Sequence, residues 1–593
     1  MDVRTIHGIT WSDPLAWMEK MEGKSWTELI QKHQKRWSET IKPMKKEISL
    51  LQSELESTKK VSQKMLFGTE EVSVGHSGTV SLTWKWKGTN KIYSAADLDA
   101  SATFVWTSEE ADDSGSESYK ICCYVKERPS AVWEVEGVGP FVSVVGNRCY
   151  CLEVKNKLIY YKLVSYNAFT GKDKQVHFEE KDYRYNLELI RGDNSFAYVR
   201  RQAGAKQDIL EITEKGIQVL EGIDLESRRF IFGSYPREYF IWDRHGWKVK
   251  GCKLVLPKSL ENPEHFDSKK GFLVTKAKGV RTLWKVSKHK NPVICWRGVG
   301  QIMIDPYKGS YIRIIQPGRE VIWWNTKEDI RPSIPVSTNT VKEYKSSLGV
   351  PYVLVEPPVD HVKGLLVVGY GAYGLPTSMS TARWNPLLTR GWVVAIALLP
   401  GGGDDSPLWE DQGRLKSREF VLQAAESVIQ DAQQKTKVST KKTIVYGRSA
   451  GGLWVGGLAA LYGKGELFKG VYMEVPYLDV LRTTTNPELP LTYIETDEFG
   501  LPSQRLSDFA NMLRWSPMEL LPKEGTPGIW QVVRTGLNDS EVFTYESVKW
   551  AFRTGKTTLL AVEENQGHFV SGPVGTFQQA QDLSILLEKI SSV

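Results

Sequence analysis

A serine flanked by glycines near the middle of the C-terminal half has the residue types and spacing of a nucleophile turn. Gly447, Ser449 and Gly451 form the pattern G-x-S-x-G within TIVYGRSAGGLWVGGLAALY, residues 443–462. A β-branched run precedes the serine and an Ala/Leu/Gly-rich run follows it, which predicts a strand, a sharp turn and a helix. Small neighbours are needed because such a turn lifts the hydroxyl out of the sheet. The pattern predicts Ser449 as a nucleophile, and a tight turn without chemistry is the alternative.

A serine hydroxyl is a poor nucleophile without a base, so a histidine is needed. Residues 340–593 contain His361, before the first predicted strand, and His568, in a loop after the last one. The chain order of an α/β-hydrolase is serine, acid, histidine, so we predict His568 as the base. Asp539 follows the preceding strand and is predicted to orient the imidazole, with Glu541 as a rival by position.

An acyl-transfer site also needs hydrogen-bond donors for the oxyanion that forms on the substrate carbonyl. The backbone N–H of Ala450, directly after the nucleophile, is the first predicted donor. The glycine-rich loop GYGAYG (Gly369–Gly374) contributes the hydroxyl of Tyr370 or of Tyr373 as the second.

The elements that must position these residues lie in residues 336–593. Six short apolar strands without polar alternation are predicted there, in KGLLVVGYG, WVVAIALLP, KKTIVYG, FKGVYMEVP, GIWQVVRTG and KTTLLAVEE. Strands buried on both faces have this pattern, and helical segments separate them. Residues 336–593 are therefore predicted to form an α/β-hydrolase domain with a doubly wound, mostly parallel sheet.

The rest of the chain contains two regions with different composition and residue patterns. Residues 1–65 are rich in Glu, Lys, Leu and Gln at helical spacing, which predicts a helical segment that packs with the hydrolase domain. Residues 66–335 contain many short aromatic and β-branched runs separated by turn residues. About 270 residues of such strands fit a β-propeller, and a large sandwich or barrel is the alternative.

Composition limits the class of protein and its partners. With 593 residues, 41% hydrophobic and 25% charged, the chain is typical of a soluble protein of at least two domains. We expect no membrane segment, because the apolar runs are too short, and no signal peptide, because the start lacks a basic region before an apolar one. The net charge of +7 is dispersed, and no basic block with aromatics predicts nucleic-acid binding.

The six cysteines lie in the first half of the chain and do not predict a metal site. Cys149 and Cys151 form a C-x-C without further ligands at a suitable spacing. Free thiols in a reducing compartment, the cytoplasm, account for them better.

Several segments resemble the prolyl oligopeptidase family of serine peptidases, and most closely its oligopeptidase B branch. They are GYGAYG at the oxyanion loop, PGGGDDSPLWEDQG, TGLNDSEVFTYESVKW around the predicted acid, and HGITWSDPLAWMEKM at the N-terminus. The resemblance implies a hydrolase domain with a propeller, no cofactor, and Tyr370 as the oxyanion donor. The chain departs from the family at Pro400, where an arginine is usual, and at Glu541, where proline-specific members have arginine.

The resemblance also implies a pocket for P1, the substrate residue before the scissile bond. In EVPYLDVLRTTTNPELPLTYIETDEFGLP, the positions of two specificity carboxylates correspond to Glu495 and Asp497. Paired carboxylates suit Arg or Lys through charge-assisted hydrogen bonds. An exposed acidic loop is the alternative.

Together these patterns predict a serine oligopeptidase that cleaves short peptides, preferably after Arg or Lys, with the propeller as a size filter. An esterase, a proline-specific enzyme or an acyl-peptide hydrolase on the same fold is the second hypothesis, since a triad does not choose between amide and ester. A catalytically idle binding protein is the third. The sequence does not indicate an oligomeric state.

Overall fold

The N-terminal segment combines a hairpin with two helices. In the computed structural model, β1 (Asp2–Ile6) pairs antiparallel with β2 (Ile9–Asp13), followed by α1 (Lys24–Ile41) and α2 (Lys45–Ser57). The two turn residues, His7 and Gly8, have φ values of 53° and 77°. Two consecutive positive φ angles are typical of a type I′ hairpin turn. Helical spacing in the sequence indicates the helices but does not reveal the hairpin.

The structure describes most of the chain. It covers residues 2–591 except 58–68, 75–81, 87–91, 96, 112–117, 126–127, 129, 157, 183, 194, 204–205, 221–228, 244–245, 305–310, 319–321, 326–337, 490 and 571. The predicted domain boundaries near 65 and 335 lie outside the described residues.

Between these boundaries the described strands form small antiparallel sheets. The first contains β3 (Thr69–Val74), β4 (Leu82–Trp86) and β5 (Ile92–Ala95). The second and largest contains β6 (Asp97–Ala100), β7 (Phe104–Glu110), β8 (Tyr119–Val125), β9 (Ala131–Val138), β10 (Ser143–Val145), β11 (Arg148–Lys155), β12 (Ile159–Asn167) and β13 (Gln175–Glu179).

Four further sheets of three or four strands follow along the chain. They contain β14 (Asn186–Asp193), β15 (Phe196–Ala203), β16 (Lys206–Thr213) and β17 (Gly216–Val219); β18 (Arg229–Phe232), β19 (Tyr239–Asp243) and β20 (Gly246–Lys250); β21 (Asn262–Asp267), β22 (Phe272–Ala277), β23 (Val280–Lys285) and β24 (Val293–Val299); and β25 (Gln301–Ile304), β26 (Tyr311–Ile315) and β27 (Ile322–Asn325). Sheets of three or four sequential antiparallel strands are consistent with the blades of the predicted propeller.

The C-terminal part alternates strands with helices. In chain order it contains β28 (Thr340–Lys345), β29 (Pro351–Glu356), β30 (Gly364–Gly369), α3 (Asn385–Leu388), β31 (Trp392–Ala397), α4 (Pro407–Asp411), α5 (Glu419–Thr436), β32 (Thr443–Arg448), α6 (Gly452–Leu461), β33 (Gly470–Glu474), α7 (Val480–Thr485), α8 (Thr496–Phe499), α9 (Leu506–Met512), α10 (Pro517–Leu520), β34 (Trp530–Gly536), α11 (Thr544–Thr554), β35 (Thr558–Glu563) and α12 (Gly572–Ser591). All six strands predicted from apolar runs are present.

The eight strands of this part form one sheet in the order β28-β29-β31-β30-β32-β33-β34-β35. Pairing is parallel from β31 to β35, while β28 and β29, which are not among the six predicted strands, add two antiparallel strands at one edge. In such sheets ligands bind beyond the carboxyl ends of the parallel strands. The site residues are therefore expected at that edge.

Both faces of the central sheet are covered by helices, which explains why its strands lack polar alternation. On one face Val367 and Val445 pack in a cluster that includes Val428 of α5 and Leu458 of α6. The neighbouring positions point to the opposite face, where α2 and α12 contribute Leu51 and Leu586. Burial of both faces fixes the sheet and hence the loops at its carboxyl edge. Within the described part of the chain, no helix has the length and apolar character needed to cross a bilayer.

Candidate active site

Ser449 lies in a strained turn at the carboxyl end of β32. Its φ is 53°, which is uncommon for a residue other than glycine, and a short 3-10 turn leads from it directly into α6. A Cβ at Gly447 would lie 2.3 Å from the carbonyl oxygen of Gly451, so the turn closes only with glycine there. A non-glycine residue held at positive φ costs free energy and often marks a functional position. The local geometry is that expected of a nucleophile turn.

His568 and Asp539 are hydrogen-bonded beyond the ends of β35 and β34, at the same edge of the sheet. The distance from His568 Nδ1 to Asp539 Oδ2 is 2.9 Å, and both side chains are buried. The other carboxylate oxygen, Oδ1, accepts the backbone N–H groups of Glu541 at 3.0 Å and Val542 at 2.8 Å. The loop therefore aims the remaining oxygen at the imidazole.

The charges around His568 favour its protonated form. Burial lowers the pKa of His568, but the carboxylates of Asp539 and Glu541 outweigh this effect, and the net pKa is raised. This arrangement stabilises an imidazolium, as a general base requires after it accepts a proton.

Glu541, the rival acid, lies on the opposite side of the imidazole. Its Oε2 is 3.5 Å from His568 Nε2, whereas Asp539 contacts Nδ1. The geometry thus separates the two candidates: only Asp539 is hydrogen-bonded to the nitrogen that an orienting acid contacts. Sequence spacing could not make this distinction.

The two tyrosines of the loop after β30 have different partners. Tyr370 lies beside the nucleophile turn, since a Cβ at Gly451, two residues after Ser449, would be 3.5 Å from its ring. Burial, and then the nearby carboxylates of Glu541 and Glu498, raise the pKa of Tyr370, so its hydroxyl keeps the proton needed to donate. Tyr373 instead donates its hydroxyl to Glu495 Oε1 at 2.6 Å, away from the serine.

The predicted P1 carboxylates are engaged within the protein. Glu495 accepts from Tyr373, and burial raises its pKa to about 8. Asp497 accepts from Arg414 Nη1 at 2.7 Å. The structure therefore does not present Glu495 and Asp497 as one open carboxylate pair.

A third carboxyl group of the same acidic loop, Glu498, is buried behind them. It pairs with Arg418 Nη1 at 2.9 Å and accepts the backbone N–H of Tyr373 at 3.1 Å. Burial raises its pKa to about 7 despite the arginine. Glu498 thus links the acidic loop to the oxyanion loop.

Arg448, the last residue of β32, contacts the loop that carries His568. Its Nη2 donates to the carbonyl oxygen of His568 at 2.6 Å, and its guanidinium lies 5.2 Å from the ring centre of Phe569. The residue directly before Ser449 therefore holds the loop that carries the histidine. No sequence signal marks this role, because the two residues are 120 positions apart.

The oxyanion loop also contacts the antiparallel sheets. Arg229 at the start of β18 donates from Nε to Glu410 Oε2 at 2.9 Å, and from Nη2 to the carbonyl oxygen of Tyr373 at 3.4 Å. Lys278 N–H donates to Asp405 Oδ1 at 3.0 Å in the neighbouring segment. The candidate site thus lies beside the interface between the two sheet systems.

One group of carboxylates has metal-ligand spacing, but a lysine lies at its centre. Asp13, Glu19 and Asp479 bring oxygens within 4.8 Å of one another. Lys549 Nζ contacts all three, at 2.6, 2.8 and 2.7 Å respectively. The ammonium group takes the place a cation would occupy, so this is an internal ion cluster.

Comparison with known proteins gives a family for the C-terminal part. Residues 378–589 match the sequence model of the prolyl oligopeptidase family. Over these residues the chain is similar to that family. Protease 2 of Moraxella lacunata is 31% identical over 309 residues, which are 49% of this chain and 40% of that protein. Dipeptidyl aminopeptidase BI of Pseudoxanthomonas mexicana is 30% identical over 225 residues, or 37% of this chain and 30% of its own length.

Solved structures of the prolyl oligopeptidase family extend the likeness to nearly the whole chain. Oligopeptidase B from Leishmania major superposes with a TM-score of 0.79, covering 98% of this chain and 95% of its own. At 16% identity this likeness shows the shared fold alone. The resemblance to the family is confirmed. Because the sequence matches span less than half of the curated relatives, the activity of the whole protein is treated below as a proposal.

Proposed function

We propose that this protein is a serine oligopeptidase that hydrolyses short peptides, preferably after Arg or Lys. The observation that carries the proposal is that the strained Ser449 lies at the same edge of the sheet as the buried, hydrogen-bonded His568–Asp539 pair. Arg448, the residue before Ser449, donates to the carbonyl oxygen of His568 and so joins the two loops. The family match of the same region supports it.

In the proposed reaction Ser449 Oγ attacks the carbonyl carbon of the scissile bond while His568 Nε2 accepts its proton. Asp539 holds the imidazole through Nδ1 and stabilises the imidazolium. The Ala450 N–H and the Tyr370 hydroxyl donate to the oxyanion. The imidazolium then protonates the leaving amine, and water, deprotonated by His568, releases the acid from the acyl-enzyme. No cofactor takes part in these steps.

Substrate length and location are part of the same proposal. We assign residues 1–65 as a helical segment on the hydrolase domain, 66–335 as a β-propeller that limits substrate size, and 336–593 as the hydrolase domain. The small antiparallel sheets and the likeness to oligopeptidase B support this division. The P1 roles of Glu495 and Asp497 and the cytoplasmic location remain predictions.

The test is labelling and turnover with matched variants. A fluorophosphonate probe should label the wild type and the control Ser439→Ala, an exposed serine before β32, but not Ser449→Ala. Fluorogenic peptides with Arg, Lys, Pro or Ala at P1 should then be cleaved with an Arg/Lys preference by the first two proteins only. If the wild type is labelled but turns over only esters, the esterase hypothesis is favoured. If it shows no labelling and no turnover, the hypothesis of a catalytically idle binding protein is favoured.

A further inference from the structure

The carboxylate of Glu541 lies beside the nitrogen of His568 that would work in catalysis. Its Oε2 is 3.5 Å from Nε2, and Nδ1 is already bonded to Asp539. In a serine hydrolase, Nε2 exchanges protons with the nucleophile and the leaving group. A group beside Nε2 is therefore within a few ångströms of the scissile bond. Glu541 faces the space in which the substrate reacts.

The backbone that carries Glu541 is fixed by the acid beside it. The N–H of Glu541 donates to Asp539 Oδ1 at 3.0 Å, and the N–H of Val542 donates to the same atom at 2.8 Å. Its side chain is 32% exposed, whereas that of Asp539 is inaccessible. The turn thus directs one carboxylate to each side of the imidazole, and only that of Glu541 is open to a ligand.

The other carboxylates around the site have partners within the protein. Asp497 pairs with Arg414 and Glu498 with Arg418, while Glu495 accepts the Tyr373 hydroxyl. These contacts neutralise or satisfy groups that would otherwise attract a positive charge.

Glu541 differs from them in the part of the chain that the structure describes. No lysine or arginine lies within 4.0 Å of its carboxylate there, and its contact is the histidine. Arg448 acts on it from farther away, but that guanidinium is bonded to the carbonyl of His568. Burial and the charge of Asp539 raise the pKa of Glu541, whereas His568 and Arg448 lower it. A half-buried carboxylate that has no bonded cation is stabilised when a cation enters the site and pairs with it.

We propose that Glu541 is a specificity-determining residue that binds a positively charged nitrogen group of the peptide next to the scissile bond. This inference rests on the proposed peptidase function. The cation is a basic side chain or a free α-amino group, and both offer the N–H donors that a carboxylate pairs with.

The experiment compares matched peptide pairs that differ only in charge. Arginine is replaced by its neutral isostere citrulline at P1 or at P2, and the free amino terminus is compared with an acetylated one. The proteins are wild type, Glu541→Gln, Glu541→Arg and the control Glu524→Gln, an exposed glutamate in the loop before β34. Glu541→Gln should lower kcat/KM about 10- to 100-fold for the charged member of one pair, mainly through KM. The neutral member should lose much less, because only the lower pKa of His568 affects it, and Glu541→Arg should reverse the preference.

The pair that responds identifies the source of the cation. Equal losses for charged and neutral peptides would overturn the inference, because Glu541 would then act only through His568. An unchanged charge preference in Glu541→Gln would overturn it as well. Fluorophosphonate labelling of Ser449 in the same samples separates this failure from that of the proposed function. If the wild type is labelled and cleaves both members of every pair equally, the protein is a peptidase but Glu541 does not select for charge. If the wild type is neither labelled nor active, both the role of Glu541 and the proposed peptidase function are refuted.

Discussion

Replacing Asp539 by asparagine isolates what the buried carboxylate does for His568. In the wild type Nδ1 donates to Oδ2 over 2.9 Å, and Oδ1 accepts two backbone N–H groups. The asparagine oxygen can keep those two bonds, which turns its NH2 group towards Nδ1. The imidazole must then carry its proton on Nε2, where the lone pair for the Ser449 proton is needed.

The wrong tautomer should reduce kcat by about 10⁴-fold, which corresponds to about 5.5 kcal/mol in the activation barrier. The pH dependence should change as well. Burial lowers the pKa of His568 and the carboxylates of Asp539 and Glu541 raise it above its ordinary value. Removing the Asp539 charge lowers that pKa, so the acidic limb of the kcat/KM profile should move to lower pH.

The assay is a pH profile of kcat/KM with one fluorogenic peptide. The control is Asp360→Asn, which changes an exposed aspartate between β29 and β30 and should retain wild-type kinetics. An Asp539→Asn activity within about tenfold of wild type would refute the orienting role, since a positioned base contributes about 10²- to 10⁴-fold. If Glu541→Gln lost more kcat than Asp539→Asn for neutral peptides, Glu541 would be the acid of the site.

Three further substitutions test neighbouring contacts. Tyr370→Phe should lower kcat by about 10²- to 10³-fold with little change in KM, because it removes an oxyanion donor. An unchanged kcat would show that this hydroxyl does not donate to the oxyanion. Arg448→Met should lower kcat roughly 10- to 100-fold by freeing the His568 loop, with partial rescue in Arg448→Lys; equal activity of all three proteins in steady-state assays would contradict this. Lys549→Met leaves the buried Asp479 and the partly buried Asp13 and Glu19 without their shared ammonium, and should lower the free energy of unfolding by about 3–5 kcal/mol, measured in urea. An unchanged urea midpoint would show that the cluster contributes no net stability.

The central sheet could be predicted from sequence because the pattern that marks each strand lies within a few consecutive residues. Strands such as β30 and β32 are buried on both faces, so an uninterrupted apolar run indicates them without knowledge of their neighbours. The turn at Ser449 is equally local, since glycines within two residues decide whether it can close. The edge strand β28 alternates charged and apolar residues and is half exposed, a pattern that a single sequence does not separate from a loop. Its neighbour β29 is buried like the parallel strands, but its apolar run is only four residues long.

The surroundings of the catalytic residues depended on contacts between distant positions. Spacing placed Asp539 and Glu541 in one loop but could not say which nitrogen of His568 each would face. The acidic loop suggested a free carboxylate pair, yet Arg414, 83 residues away, binds Asp497. Such partners become visible only when the chain is folded. The same holds for Arg229 at the oxyanion loop.

The Lys549 cluster has a consequence for how the protein is made. Asp13 and Lys549 are separated by 536 positions, and ion pairs of this kind form only when both ends exist. At about 5–20 residues per second, the ribosome adds Lys549 roughly half a minute to two minutes after Asp13. During that time α1 exposes Trp26 and Ile30, which are buried in the finished fold. Asp13 and α1 are thus synthesised well before the residues against which they pack, and a chaperone bound during translation would cover the apolar side chains of α1.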